Sequence, residues 1–436
     1  MKKSLLAVAA LGAFASAAQA QSSVTVYGIM DAGYVGANER VATGAAVLRG
    51  TQSGFGDGGE STSRLGFKGT EDLGGGMSAF FTVELGLNLD TQFAINTSAS
   101  QNRQSFVGLK KNGVGDFAFG TQYTLVQNSV SATSAAQNNN IMGDLIYTAN
   151  KIATGGNPSS SSSLGTNQVT GSGQGAGDSY TIRQNNMLTL NTASFGGFVG
   201  HGFVTMRNQN SNQTQVPATS GANGYTGGID NANGWGLGAD YTWNKLFATA
   251  AYQSFNAKNP WDNSVSTTYT PNGAASNKTA TVAGTTGAAT IFGAGQGSTP
   301  GINAKDNQWY VGGSYDFGIL KAYAQYINRK ATSQIDPTQY ISRTAQQIGV
   351  RSFITPTIEA WAQGGLGRYT ANGSGSPTAN LTGWQVGSNY WLSKRTNLYA
   401  IYGQQGTSNV GTGTNYTGNS VSYNANNYAL GLRHTF

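Results

Sequence analysis

Apolar and polar residues alternate with a period of two along most of this chain, and the alternating segments often end in aromatic residues. Phe81, Val83 and Leu85, for example, alternate with Thr82 and Glu84. This period is typical of β-strands with two different faces. Most segments are near the ~9–11 residues with which a tilted strand crosses a bilayer. Sixteen strands are predicted: 24–36, 62–70, 77–90, 102–111, 116–124, 179–193, 197–208, 233–244, 246–258, 307–317, 320–331, 343–354, 358–370, 381–392, 396–407 and 426–436.

The connections between these strands alternate strictly between short and long. Short turns follow the even-numbered predicted strands, and long connections follow the odd-numbered ones. This parity places every tight turn at one end of an antiparallel up-and-down barrel with an even number of strands. A β-sandwich would need crossover connections and would show no such parity. The long connections are 37–61, 91–101, 125–178, 209–232, 259–306, 332–342, 371–380 and 408–425.

The last predicted strand alternates up to the final residue, Phe436. Pairing it with the first strand would remove both open edges of the sheet, which lipid does not tolerate. The predicted fold class is therefore all-β, a transmembrane 16-stranded antiparallel up-and-down β-barrel.

Composition agrees with a barrel that faces lipid. Charged residues make up 10% of the chain, against ~25% in typical soluble domains, whereas 11% of residues are aromatic. The formal net charge of +7 is spread along the chain, unlike the clustered basic face of a nucleic-acid-binding protein. The chain has no cysteine and only His201 and His434. These counts exclude a thiol nucleophile and a thiolate metal site and argue against a histidine one, and no cofactor is expected.

The first twenty residues have the features of a cleaved secretory signal peptide. Lys2 and Lys3 precede an apolar run, and Ala18-Gln-Ala20 fits a small-x-small cleavage motif. The apolar run is shorter than the ~20 residues of a spanning helix, so a membrane anchor explains it less well. The barrel domain would then be 21–436.

Four short motifs and the terminal strand resemble those of general porins of the Gram-negative outer membrane, particularly the β-proteobacterial type. The matching stretches are VTVYGIMDAG at 24–33, SRLGFKGTEDLG at 63–74, NRQSFVGL at 102–109, RQNN at 183–186 and YALGLRHTF at 428–436. The resemblance implies a homotrimer of barrels in the cell outer membrane. It also implies that the third long loop, 125–178, folds inward as a constriction.

The same resemblance implies which residues meet at the pore constriction. Strand arginines of such porins face acids of the inward loop, and the matching positions here are Arg64, Arg103 and Arg183. The loop itself is poor in acids, and Asp144 is the candidate to face them. A terminal aromatic such as Phe436 resembles the signal read by the outer-membrane insertion machinery.

The alternation of lipid-facing and lumen-facing side chains along the strands predicts further charged residues on the lumen wall. An Arg or Lys on the lipid face would cost roughly 2–4 kcal/mol at mid-membrane. Leu65 and Phe67 therefore face lipid and leave Lys68 in the lumen. The same argument applied to the twelfth predicted strand places Arg343 and Arg351 inside. Glu84 is a lumen acid on the third strand.

These features predict a general diffusion channel for small hydrophilic solutes and ions, with a modest anion preference. Lumen width and fixed charges at the narrowest point set what such a channel passes. A porin selective for an organic anion or a sugar is the main alternative. An adhesin or phage receptor acting through the loop at 259–306 is another. An outer-membrane enzyme is less consistent with the sequence, because no nucleophile accompanies either histidine.

Overall fold

The computed structural model describes residues 23–42, 47–87, 89, 102–147, 179–215, 225–258, 303–333, 340–372, 378–411 and 420–436. Within these ranges the chain forms seventeen strands and one helix, α1 (Leu125–Ala132). The predicted signal peptide and residues 148–178 of the predicted constriction loop lie outside the described residues. The strands are β1 (Ser23–Ala42), β2 (Val47–Asp57), β3 (Arg64–Gly74), β4 (Met77–Gly86), β5 (Asn102–Lys111), β6 (Gly115–Tyr123), β7 (Arg183–Thr192), β8 (Phe198–Gln215), β9 (Tyr225–Trp243), β10 (Leu246–Lys258), β11 (Asn303–Asp316), β12 (Lys321–Ser333), β13 (Tyr340–Phe353), β14 (Ile358–Asn372), β15 (Thr378–Ser393), β16 (Thr396–Gly411) and β17 (Ser420–Thr435).

Sixteen of these strands form a closed antiparallel ring. Each strand from β3 to β17 pairs with the next, and β1 closes the ring between β17 and β3. At the seam, the backbone amide of Phe436 donates to the Gly28 carbonyl at 3.2 Å, and the Gly28 amide donates to the Phe436 carbonyl at 3.2 Å. The predicted sixteen-stranded barrel and its closure by the last strand are confirmed.

The additional strand corrects the expectation that 37–61 is a loop. β3 pairs with β1 residues 23–29, and β1 then continues to Ala42. β2 pairs antiparallel with this continuation, residues 32–42. The sequence of β2, VLRGTQSGFGD, has too few large apolar residues for a clear alternation. β2 pairs with the part of β1 that extends past β3, so it adds no strand to the closed ring of sixteen.

Short turns and long connections alternate as predicted. Two-residue turns link β3 to β4, β9 to β10 and β15 to β16. The turn after β3 is built from Gly74, Gly75 and Gly76, all at positive φ, a conformation that side chains with a Cβ rarely adopt. These turns lie at one end of the barrel, and the strand ends that the long connections join lie at the other.

The two faces of each strand differ in exposure. In β13, Ile348 and Val350 are 71% and 43% exposed, whereas Arg343 and Arg351 are 1% and 7% exposed. In β17, Leu430 is 56% exposed and its neighbour Ala429 is 1% exposed. The outward face of the barrel is thus an apolar surface. The inward face is covered by chain segments that lie inside the ring.

Replacing Ile348 by arginine is expected to destabilise the folded barrel by ~2–4 kcal/mol, the cost of a charge on the lipid face near mid-membrane. The measurement is the free energy of unfolding by guanidinium in lipid vesicles. Ile354→Arg is the matched control, because Ile354 is 69% exposed but follows the end of β13, where the cost is ~0–1 kcal/mol. Equal losses in the two variants would contradict the assigned depth of Ile348.

Candidate pore constriction

The chain turns inward immediately after β6. Thr124 caps α1, and its hydroxyl accepts from the Gln127 amide at 3.3 Å. The same threonine joins the two ends of the loop: its amide donates to the Ile182 carbonyl at 3.0 Å, and its hydroxyl donates to the Thr181 carbonyl at 2.6 Å. Because its two ends are tied together, the loop enters and leaves the lumen at one point of the wall.

Apolar burial holds the inward loop against the far wall. Val126, Val130, Leu145 and Ile146 have no exposed surface, and they belong to one core cluster with wall side chains such as Tyr310. Burying an aliphatic side chain of this size stabilises by about 1.5–3 kcal/mol. The loop is therefore a packed element of the barrel interior.

A row of buried glutamines on six consecutive strands fixes where the loop lies. We call it the glutamine row; its members are Gln253, Gln308, Gln325, Gln347, Gln363 and Gln385, on β10 to β15 in order. Three pairs of them are direct cross-strand partners: Gln253 with Gln308, Gln325 with Gln347, and Gln363 with Gln385. The six amide groups therefore lie within one band around the inner wall.

Most members of the row bond the loop backbone. Gln253 accepts from the Val126 amide at 3.3 Å, Gln308 from the Thr181 amide at 2.8 Å, and Gln347 from the Leu145 amide at 2.9 Å. Gln385 donates to the carbonyls of Ile141 and Met142 at 2.9 and 3.0 Å and exchanges two hydrogen bonds with the Asn139 amide group. The full row also includes Gln363, which accepts from the Ala136 amide at 3.2 Å, and Gln325, which bridges Tyr310 and Gln347.

Arg343 and Arg351, predicted on the lumen wall, support the same loop through its carbonyl oxygens. A guanidinium nitrogen of Arg343 donates to the Leu145 carbonyl at 2.5 Å, and one of Arg351 donates to the Ala135 carbonyl at 2.8 Å. Arg351 also forms a two-point ion pair with Glu359, at 2.5 and 2.7 Å. These arginines hold the loop, and the structure places them beneath it.

The three arginines predicted at the constriction lie together on another part of the wall. Arg64 on β3 and Arg103 on β5 both approach Glu84 of β4, at 3.8 and 2.6 Å. Arg103 and Arg183 both donate to the Tyr123 hydroxyl, at 2.8 and 3.5 Å, and the Arg183 guanidinium lies 5.0 Å from the centre of the Tyr123 ring. We call Arg64, Arg103, Arg183, Glu84 and Tyr123 the arginine cluster.

Asp144 has different partners from those the resemblance implies. Its Oδ1 accepts from the amides of Ile146 and Tyr147 at 2.9 and 2.8 Å and from the Gln347 side chain at 3.2 Å. The carboxylate is 1% exposed and belongs to the loop's own turn. Among the described residues no ion pair joins it to an arginine of the cluster.

The remaining predicted residues take separate positions. Lys68 is exposed on β3, with its ammonium 5.4 Å from the centre of the Tyr27 ring. Phe436 lies at the seam of the barrel and is 39% exposed. Among the described residues, no group of three or more His, Asp or Glu side chains is arranged to hold a metal ion.

Residues 58–63 form a second inward segment that the sequence did not predict. Asp31 on β1 anchors it by accepting from the amides of Glu60 and Ser61, at 2.9 and 2.5 Å. The segment reaches the inward loop through Asn140, whose side chain donates to the Gly58 carbonyl at 2.7 Å. Asn389 and Asn397 bond the Glu60 carboxylate, each at 2.8 Å. The lumen is therefore narrowed from two sides.

A family model for Gram-negative porins matches residues 7–410. The chain belongs to the Gram-negative porin family. An outer membrane porin protein of Bordetella pertussis is 27% identical over 92% of this chain and 93% of its own length. Outer membrane porin protein 32 of Delftia acidovorans is 38% identical over 47% of this chain and 50% of its own.

Solved porin structures share the fold. The anion-selective porin from Comamonas acidovorans is 21% identical, with a TM-score of 0.59 over 95% of this chain and 100% of that one. As a member of the Gram-negative porin family, this protein is a diffusion channel of the outer membrane. In such barrels the short turns are periplasmic and the long loops are extracellular. The arginine cluster and the described part of the inward loop lie inside the ring of strands.

Replacing Gln385 by leucine is expected to loosen the inward loop of this porin. The change leaves the carbonyls of Ile141 and Met142 and the Asn139 amide without this partner, and each buried group left unsatisfied costs ~1–3 kcal/mol. We expect larger open-channel current noise and a shifted single-channel conductance in planar bilayers. Gln404→Leu is the control, because Gln404 bonds Asn424 across the strand pair and does not contact the loop. Identical noise in both variants would show that Gln385 does not position the loop.

Proposed function

We propose that this porin passes small hydrophilic solutes and ions with a modest preference for anions, and that the arginine cluster sets that preference. The observation that carries the proposal is the charge balance of the cluster. Three guanidinium groups lie there: those of Arg64 and Arg103 beside the Glu84 carboxylate, and that of Arg183 beside the Tyr123 ring. Asp144, the acid in the described part of the inward loop, is bonded to the loop's own turn and to Gln347.

Within the cluster, the arginines differ in how far they are neutralised. Arg103 is 8% exposed and forms the close ion pair with Glu84. Arg64 reaches the same carboxylate oxygen at the longer distance and keeps 21% of its side chain exposed. Arg183 contacts the neutral Tyr123. Arg64 and Arg183 therefore supply the excess positive charge that a permeating ion meets.

Screening explains why these charges outweigh others along the lumen. At physiological salt a charge acts over about 8 Å, so only groups close to the narrowest section affect every ion that passes. We propose that Arg64, Arg103, Arg183 and the turn at Asp144 border that section. The Comamonas acidovorans porin, which shares this fold, is named as anion-selective, in agreement with the proposed sign.

The lumen-wall residues take two roles in this proposal. Lys68 and Glu84 act on ions through their charge, because Lys68 is exposed and Glu84 sits among the arginines. Arg343 and Arg351 act on width, because their donors hold the carbonyls of Leu145 and Ala135.

We further propose that the porin is a homotrimer, and that Phe436 serves its assembly through the outer-membrane insertion machinery. A Vibrio cholerae outer membrane protein of the same fold is described in a trimer form. Phe436 closes the seam with Gly28 and leaves part of its ring exposed. Mass measurement of the unheated, detergent-extracted protein tests the trimer. A monomeric mass would reject it.

Replacing Arg183 by glutamine is expected to lower the chloride-over-potassium permeability ratio about twofold. A unit charge about 8 Å from an ion in water contributes ~0.5 kcal/mol, which corresponds to that factor. The measurement is the reversal potential across a bilayer in a KCl gradient. Arg368→Gln is the matched control, because Arg368 is an exposed arginine on β14 that bonds Asn380 outside the cluster. Equal reversal potentials in Arg183→Gln and wild type would reject the proposed role of the cluster.

Replacing Glu84 by glutamine should shift the same measurement in the opposite direction. The change removes the one carboxylate of the cluster while keeping an acceptor for Arg103 and Tyr27. The chloride-over-potassium ratio is expected to rise by a comparable factor of about two. A fall in that ratio would mean that Glu84 acts through structure rather than through charge.

A further inference from the structure

The outward face of the barrel has a groove near the periplasmic turns, across β5 to β9. Its volume is about 700 Å³. The walls are apolar: Phe117, Leu190 and Leu237 are 42%, 56% and 62% exposed. Gly200 and Gly202 of β8 lie between these side chains and form the floor. Since this face of an outer-membrane barrel contacts lipid, the groove is open to an acyl chain.

Barrel packing does not require glycine at the floor of the groove. A Cβ on Gly202 would lie 3.6 Å from a methyl carbon of Leu237 and 3.8 Å from the Gly236 carbonyl oxygen, which are ordinary contacts. Neither Gly200 nor Gly202 has a positive φ. Gly236 on the adjacent strand differs, because a Cβ there would overlap the Phe203 ring. A larger side chain could therefore occupy position 202 without a clash, and glycine there leaves the groove open.

A lysine stands at the periplasmic rim of the groove. Lys111 ends β5 on the same face as Val107 and Leu109, and its ammonium donates to the Gly75 carbonyl at 2.6 Å. That acceptor is neutral, and an ammonium group has three donors. The nearby Asp116 carboxylate accepts from Asn191 at 2.7 Å. The Lys111 ammonium can therefore bind an anionic group at the level of the lipid headgroups.

His201 also borders the groove, but both of its ring nitrogens contact side chains of the neighbouring strands. Its Nδ1 lies 2.8 Å from the Asn191 side-chain oxygen, and its Nε2 lies 3.2 Å from an Asp240 oxygen. The ring therefore points to the interior, and it leaves the outward surface apolar up to Lys111. An apolar groove with a cation at its rim matches a glycerophospholipid, whose acyl chain is joined through glycerol to a phosphate.

We propose that this groove holds one acyl chain of an inner-leaflet glycerophospholipid, whose phosphate binds Lys111. The apolar walls and the glycine floor accommodate the chain, and the Lys111 ammonium donates hydrogen bonds to the headgroup phosphate. The site is independent of the ion selectivity proposed above, because it lies on the opposite face of the wall from the arginine cluster.

Native mass spectrometry of the detergent-extracted protein with added phosphatidylglycerol tests the site. Gly202→Leu fills the groove and Lys111→Gln removes the cation, so both should lower the occupancy of the tightly bound lipid. For Lys111→Gln we expect the occupancy of the bound lipid to fall about fivefold. This factor corresponds to the ~1 kcal/mol that a basic residue contributes near an anionic surface. Lys245→Gln, at the short turn between β9 and β10, is the matched control and should retain wild-type occupancy.

The outcomes separate this inference from its alternatives. Heat-modifiable migration and wild-type single-channel conductance would show that each variant is folded and that its channel is intact. Unchanged lipid occupancy in folded Gly202→Leu would overturn the proposal. A changed oligomeric mass in that variant with unchanged lipid occupancy would also overturn it, and would assign the groove to contact between copies of this chain.

Discussion

A strand that crosses lipid has no water with which to bond its backbone, so every amide and carbonyl must find a partner within the protein. In this chain that requirement is met by a ring of sixteen antiparallel strands, closed where Gly28 and Phe436 exchange two hydrogen bonds. Closure creates an interior that is screened from lipid. Only inside such a ring can irregular backbone lie at membrane depth. The inward loop depends on this condition.

The same requirement then applies to the loop, whose irregular backbone cannot satisfy its own polar groups. The wall supplies the partners as neutral side-chain amides on successive strands, from Gln253 to Gln385. Apolar burial of residues such as Val126 and Leu145 supplies attraction but little direction. Hydrogen bonds supply direction. The position of the loop is thus set by these uncharged groups together with the guanidinium donors of Arg343 and Arg351.

Much of the fold could be predicted from the sequence, because alternation in lipid-facing strands has a large energetic basis. Phe67 faces lipid beside Lys68, and the parity of turns gives the strand count without any long-range information. β2 could not be predicted in this way. Its stability comes from pairing with β1, and its residues, apart from Phe55 near one end, have weak alternation.

The site was less predictable, because side chains on one strand do not reveal their partners on another. The motifs identified Arg64, Arg103 and Arg183, and the structure places these three arginines in one cluster. The glutamine row left a signal in the sequence, at least one glutamine within each strand from β10 to β15, but the alignment of these glutamines depends on strand register. Glutamine also reads as an ordinary lumen residue. The inward segment at 58–63 left none, since it depends on the contact between Asp31 and two backbone amides.

Asp144 shows how a residue type can mislead about a role. An acid in an inward loop opposite arginines suggests an ion pair across the lumen. A turn inside a barrel also needs acceptors for its own amides, and a carboxylate supplies them to Ile146 and Tyr147 at short range. Bonds to charged acceptors are worth about 1.5–3 kcal/mol each, more than a distant screened attraction to a guanidinium group. The turn therefore retains the carboxylate, and among the described residues Glu84 is the acid that pairs with the arginine cluster.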